Sequence, residues 1–223
     1  MPLEIIREDI RRVKVDAIVN PTDENYSGSG GTDYKVHKAA GERLDEEVSR
    51  LPKLNVGDAR ITSSFSMDNT FYIIHTRGPI YIDGKHNEDK LLRRCYENCL
   101  RIVKEKKLQS VALPLISTGT FGFPLKEAMK IASNVITDFI FDNDIYVYLL
   151  VYNRQAFDIS KKFHQDIKDY LKDNGVDEED YYDEKEYIGY RRSRRNIKDN
   201  NPVVYNPIDD NFMDDYENTE SFN

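Results

Sequence analysis

The feature that most limits the folds open to this 223-residue chain is its alternation of short apolar runs with longer amphipathic stretches. Runs at 17–19, 72–75, 111–116 and 146–152 have the length of buried strands, with weaker ones at 3–6 and 59–62. Stretches at helical spacing occupy 34–51, 87–107, 125–141 and 154–172. In the second of these, Leu91, Leu92, Cys95, Cys99, Leu100, Ile102 and Val103 form an apolar stripe opposite Arg and Lys. Asn87 stands where an N-cap belongs, and Pro124 where a helix's first turn tolerates proline. Strands alternating with helices imply an α/β sheet covered on both faces.

Charge is unevenly distributed. Residues 174–223 carry 14 acidic and 6 basic side chains, a net of −8 that equals the net of the whole chain, so residues 1–173 are balanced. The acidity belongs to the tail, and no basic excess marks the folded part as a duplex nucleic-acid binder. The tail, rich in Asn, Asp and Tyr, reads as disordered or as a segment that docks on another protein. Its cluster at 191–195 reads as a solvated charge run. Two cysteines four apart on a helix suit core thiols better than a disulfide scaffold or a zinc site. No metal is expected, since no cluster of His, Cys and carboxylate has ligand spacing. With no membrane-length apolar run and no leader-type segment, the chain reads as soluble and cytoplasmic.

Two small-residue loops stand out. Asn20-Pro21-Thr22-Asp23 through Gly28-Ser29-Gly30-Gly31-Thr32-Asp33 follows one apolar run and enters a helix; Ser117-Thr118-Gly119-Thr120-Phe121-Gly122 follows another. Such loops present backbone N–H groups at the positive end of a helix, a suitable setting for phosphate. Two of them can grip a diphosphate from opposite sides. Neither matches the P-loop pattern, and the dinucleotide fingerprint is absent.

These residues carry a resemblance. Asp16-Ala17-Ile18-Val19-Asn20, Gly30-Gly31-Thr32-Asp33 and Val36-His37-Lys38-Ala39-Ala40-Gly41 are similar to the first signature of the macrodomain family. Tyr72 to Pro79 resembles its central strand, and Leu113 to Pro124 its second loop. The resemblance covers about residues 3–172 and is strongest to the MacroD-like branch. It implies a three-layer α/β/α sandwich with a mixed, mostly parallel central sheet, a macrodomain over 1–173 and a tail over 174–223.

The resemblance also implies ADP-ribose as ligand, with no cofactor, and an ADP-ribosylated protein as partner. The expected activity is hydrolysis of ADP-ribose from protein, at a carboxylate ester. By position, Asp9 and Ile10 match the adenine contact, Tyr152 the aromatic beside adenine and Asn153 a polar neighbour. Gly30, Gly31, Thr32, Ser117, Thr118, Gly119, Thr120 and Gly122 match the diphosphate loops. Asn20, Asp23 and Phe121 match the distal-ribose wall, and Asp33 the group that orients or activates water near the anomeric carbon or acts with the substrate's phosphate. Read without the resemblance, Asp9 is a surface charge, Tyr152 a core tyrosine, Asn20 a turn cap and Asp33 an N-cap. His37 lies on the Asp33 face of the same helix, a candidate for support behind it or a satisfied structural histidine, as is His75.

One departure stands out. Where the family's loop usually has a second asparagine, this chain has Asp23, and a carboxylate accepts hydrogen bonds but cannot donate them. Arg77, where the family commonly has an apolar residue, is a candidate to balance that charge. The rival functions are a non-catalytic ADP-ribose reader, an O-acetyl-ADP-ribose deacetylase using the same pocket, and an interaction protein acting through its tail.

Overall fold

The structure is a computed structural model describing residues 2–152 and Asp158. Asn153, the rest of the expected helix over 154–172 and the tail lie outside the described residues. Among those described are six strands: β1 (Leu3–Ile6), β2 (Ala17–Pro21), β3 (Ala59–Ser63), β4 (Tyr72–Thr76), β5 (Ser110–Pro114) and β6 (Tyr146–Leu150). The helices are α1 (Gly31–Ala40), α2 (Glu42–Val48), α3 (Glu88–Glu105) and α4 (Leu125–Asp142).

The strands form one sheet in the order β1-β6-β5-β2-β4-β3. β3 runs antiparallel to β4, and every other neighbouring pair is parallel. Successive side chains leave opposite faces of a strand, which divides the core in two. Ala17, Val19, Ile74, Val111, Leu113, Val147 and Leu149 pack with Leu92, Cys95, Cys99, Met129 and Ile136 of α3 and α4. Ile18, Ile73, Ala112 and Leu150 pack with Val36, Ala40, Leu44 and Val48 of α1 and α2. The result is a three-layer α/β/α sandwich around a mixed, mostly parallel sheet. Both cysteines are free and buried, and burial pushes the Cys95 thiol up to about 11.

The single helix expected over 34–51 is two helices. Gly41 takes φ 82° and ψ 177°, a conformation open essentially to glycine alone, so the chain turns there although the apolar spacing continues. β5 stops at Pro114 and β6 at Leu150, both short of the runs that suggested them. Pro124 is the N-cap of α4 rather than a first-turn residue. Asn87 does occupy the N-cap of α3, but it is left-handed (φ 59°) and its side chain makes no cap bond. The neighbouring Glu88 anchors that end. One of its oxygens accepts N–H bonds from Ile82, Asp83 and Gly84 at 3.2–3.3 Å, and the other accepts from His86 at 2.6 Å. Burial alone would raise this carboxyl, but the backbone donors outweigh it and bring it down to about 2.

Because β1, β6, β5, β2 and β4 are parallel, their carboxyl ends share one edge, where ligands of open α/β sheets bind. Tyr96 of α3 braces that edge from inside: its hydroxyl donates to the Pro114 carbonyl at 3.1 Å and accepts from the Ile116 N–H at 2.9 Å. Tyr96→Phe strands both backbone groups in the core and is expected to cost about 2 kcal/mol, measured by urea unfolding.

Candidate active site

The two glycine loops leave the carboxyl ends of β2 and β5, which are hydrogen-bonded neighbours. The first feeds α1, whose N-cap is Gly30 and whose first turn has no side-chain cap, so its N–H groups face outward at the positive end of the helix. The second is a tight turn in which Gly122 N–H donates to Gly119 O and Phe123 N–H to Ser117 O, at 3.0 and 2.9 Å. Ser117 is left-handed (φ 63°) and buries its Oγ without a protein partner among the described residues. Gly78 allows this close approach, because a Cβ there would overlap Ser117 Oγ and lie 2.7 Å from Ile116 Cγ2. Tyr81 N–H donates to Phe121 O at 2.9 Å, and the Tyr81 ring meets Phe123 edge-on at 5.1 Å. Those contacts fix the loop from its other side.

Behind the first loop lies a buried polar network. Asp33, 5% exposed, accepts from Asn20 Nδ2 at 2.6 Å, Thr22 Oγ1 at 2.9 Å and the Gly28 N–H at 3.0 Å. Burial raises its pKa, partly opposed by the hydrogen bonds from Asn20 and Thr22. Asp33 is therefore in the first turn of α1 but does not cap it; it staples the preceding loop. Asn20 is fully buried, and a carboxylate can only accept, so its amide orientation is determined and its Oδ1 is left as a buried acceptor without a donor among the described residues. Its Nδ2 also lies 3.3 Å from His75 Nδ1, while His75 Nε2 lies 3.0 Å from Thr62 Oγ1, whose proton goes to the Ser63 carbonyl. These roles make His75 a neutral ring protonated on Nε2. Burial, helped by the nearby His37, lowers its pKa to about 3.

Asp23 turns into its own loop. It accepts from the N–H groups of Asn25 and Ser27 at 2.9 and 3.1 Å, and from the Ser27 hydroxyl. Partial burial would raise this carboxyl, but the donors from Ser27, Asn25 and Ser29 prevail and its pKa is lowered. Arg77 does not balance Asp23: its guanidinium binds the Leu54 carbonyl at 3.1 Å and Glu24 at 3.2 Å.

At the other end of the edge, Asp9, Ile10, Lys35, Thr32, Leu150 and Tyr152 line a cleft. Tyr152 is 74% exposed, not a core tyrosine. Asp9 accepts from Arg11 Nε at 2.9 Å and from Arg11 Nη2 at 2.7 Å, and that hydrogen bonding holds its carboxyl at about 2 despite some burial. Lys35 Nζ stands 3.9 Å from Asp9 Oδ2 and 4.6 Å from the centre of the Tyr152 ring. It thus lies in the space between the two expected adenine contacts.

Sequence reasoning gave no role to Thr22, Lys35 or Asp45, which the structure places against Asp33, Asp9 and His37. Asp45 of α2 lies 2.6 Å from His37 Nδ1, and His37 Nε2 lies 3.4 Å from Asp33 Oδ1. Spacing also missed a convergence of Asp83, His86 and Glu88. There Glu88 is already bound to four backbone N–H groups, and His86 Nδ1 lies 3.0 Å from Asp83. Among the described residues no helix is long and apolar enough to cross a membrane.

Paired glycine loops over a buried Asn–Asp couple define an α/β/α domain built to receive an anionic ligand at its strand edge. The chain belongs to the macrodomain family and is of the MacroD-like type: the Macro domain profile matches residues 19–132. It is 39% identical over 184 residues to the human ADP-ribose glycohydrolase MACROD2, covering 80% of this chain and 42% of that protein. O-acetyl-ADP-ribose deacetylase 1 of Pantoea vagans is 36% identical over 166 residues, 72% of this chain and 96% of the relative. A solved structure of an Oceanobacillus iheyensis macrodomain mutant with ADPR superposes with a TM-score of 0.71 at 33% identity, over 75% of this chain and 94% of that one.

The neutral, buried His75 gives the site a pH signature. Its folded value of about 3 lies below the ordinary 6.5, so its contribution to stability is complete above pH 6.5 and is lost as pH falls toward 3. In His75→Gln the slope of unfolding free energy against pH over that window is expected to fall by up to one proton, about 1.4 kcal/mol per pH unit. Urea unfolding between pH 7 and 4 measures it.

Proposed function

We propose that the chain binds ADP-ribose along the β1–β6–β5–β2 edge and hydrolyses ADP-ribose from a modified protein at a carboxylate ester. The observation that carries this reading is the pair of glycine loops leaving adjacent parallel strands, with the Asn20–Asp33 bond buried behind the first. The diphosphate would lie between the N–H groups of Gly30, Gly31 and Thr32 and those of the 117–122 loop. Adenine would occupy the cleft of Asp9, Ile10 and Tyr152. The distal ribose would meet Phe121 and the Asn20 side, where the free Oδ1 suits a hydroxyl donor. The names of the two relatives, a glycohydrolase and a deacetylase, support a hydrolase with this kind of ligand.

In the reaction, a water oxygen bonds to the anomeric carbon of the distal ribose as that carbon's bond to the acceptor carboxylate breaks, with the bonding electrons leaving on the carboxylate. Asp33 takes the water's proton, a role favoured by the burial that raises its pKa. The proton then goes to the departing carboxylate, so atoms and charge balance without a cofactor.

Asp23 favours a second reading, a non-catalytic reader. Its oxygens are engaged by loop donors, and it has no amide hydrogen to give the ribose. One experiment separates the two: incubation with protein automodified on glutamate, beside calorimetry with ADP-ribose. Hydrolysis predicts label release that falls about 100-fold or more in Asp33→Ala; a reader binds ADP-ribose and releases nothing. No binding at millimolar ADP-ribose sinks both.

Lys35 supplies a further check on the adenine end. An adenine ring stacking on Tyr152 must displace the Lys35 ammonium from that ring, a contact worth about 0.5–1 kcal/mol at an exposed site. Lys35→Ala is expected to tighten ADP-ribose binding about two- to fivefold by calorimetry.

A further inference from the structure

We propose that Asp45 is a positioning residue for the chemistry at Asp33, acting through His37. The inference rests on the hydrolytic reading above. Within one straight helix, residues eight apart lie about 12 Å apart along the axis and cannot meet. Here the turn at Gly41 folds α2 back on α1, and Asp45 Oδ1 reaches His37 Nδ1 at 2.6 Å. The carboxylate only accepts, so Nδ1 carries the proton of that bond. The opposite nitrogen, Nε2, is buried, makes no well-formed hydrogen bond among the described residues and lies 3.4 Å from Asp33 Oδ1.

The three groups pass from interior to surface. Asp33 and His37 are buried, whereas the Asp45 side chain is 61% exposed. The His37 ring is clamped by the close backbone of Gly28, where an added Cβ would stand 3.0 Å from Cγ. The other ring near it, His75 at 6.4 Å, is neutral and bonded elsewhere. Around Asp33, Asn20 and Gly28 offer amide hydrogens, which cannot take up a proton, and the Thr22 hydroxyl is itself buried. His37 is therefore the base available to the buried carboxylate.

The water proton taken by Asp33 Oδ1 moves to His37 Nε2 as the carbon–oxygen bond forms. It returns by the same atoms to the departing carboxylate, leaving Asp33 ionised and His37 neutral. Asp45 keeps Nδ1 protonated, points Nε2 at Asp33 and offsets the positive charge while the imidazolium exists. The logic is that of an acid–histidine pair in which the outer carboxylate orients the ring and is not itself protonated.

Label release from automodified protein, calorimetry with ADP-ribose and thermal unfolding of the native chain, Asp45→Asn, Asp45→Ala and Asp45→Glu test this together. The expected result is a fall in kcat of about tenfold or more for Asn and Ala, with KM and ADP-ribose affinity within twofold and recovery in Asp45→Glu. Unchanged kcat in Asn and Ala overturns the proposal. So does loss of kcat together with affinity or thermal stability and no recovery in Glu, which marks a structural role. A ring nitrogen-15 spectrum of the native chain with Nδ1 unprotonated also overturns it. A native chain that binds ADP-ribose and releases no label overturns the hydrolytic reading and this one with it, whereas label release indifferent to Asp45 overturns this one alone.

Discussion

The 2.6 Å bond from Asn20 Nδ2 to Asp33 Oδ1 is the interaction on which the rest of the site depends. A carboxylate that is 5% exposed must be supplied with donors, since an unpaired buried charge costs several kcal/mol. The donors are Asn20 at the end of β2, Thr22 just after it and the Gly28 N–H further along the same loop, so one side chain on α1 ties down both ends of that segment. Hydrogen bonds to a charged group contribute about 1.5–3 kcal/mol each, and losing one donor costs more than its own bond because the charge remains. The loop that presents the glycine N–H groups is thus shaped from behind.

That arrangement also answers an electrostatic difficulty. Two carboxylates, Asp23 on the loop expected to meet a diphosphate and Asp33 in the first turn of α1 that follows it, stand close to that ligand's expected place, and neither is balanced by Arg77, which is bound to Glu24 and Leu54. Both are instead turned into the loop, Asp23 toward Asn25 and Ser27 and Asp33 toward Asn20 and Thr22. Their oxygens are covered by N–H and O–H groups, whose dipoles offset the charge locally. The uncapped first turn of α1 then sets the field at the edge, with its N–H groups directed outward.

What could be read from the sequence was what depends on local pattern. The sheet was legible because buried parallel strands such as 111–113 and 147–149 are continuously apolar. The two loops were legible because small residues there follow apolar runs directly. The break at Gly41 was not, because Ala40, Leu44 and Val48 keep helical spacing across it and a lone glycine is tolerated in many helices. Asp45 was lost with it, since its partner His37 is reached only through that turn. Lys35 was not singled out, because the neighbours it meets, Asp9 and Tyr152, lie just beyond the ends of the distant β1 and β6. Glu88 was not singled out either, because its four backbone donors belong to a loop with no regular pattern.

The two ends of the strand edge are built on opposite principles. At the Asn20 end, buried side chains hold one another at short distances, so on the hydrolytic reading the groups proposed to react are positioned before any ligand arrives, which is where preorganisation lowers a barrier. At the Tyr152 end, the aromatic is exposed and an ammonium rests on it, so a ligand base must exchange one contact for another and gains only the difference. Substitutions at the first end should therefore act on the rate of reaction and those at the second on affinity. The division follows from burial: a network closed to water cannot trade partners freely, whereas the half-buried Lys35 ammonium can move out to solvent when its place is taken.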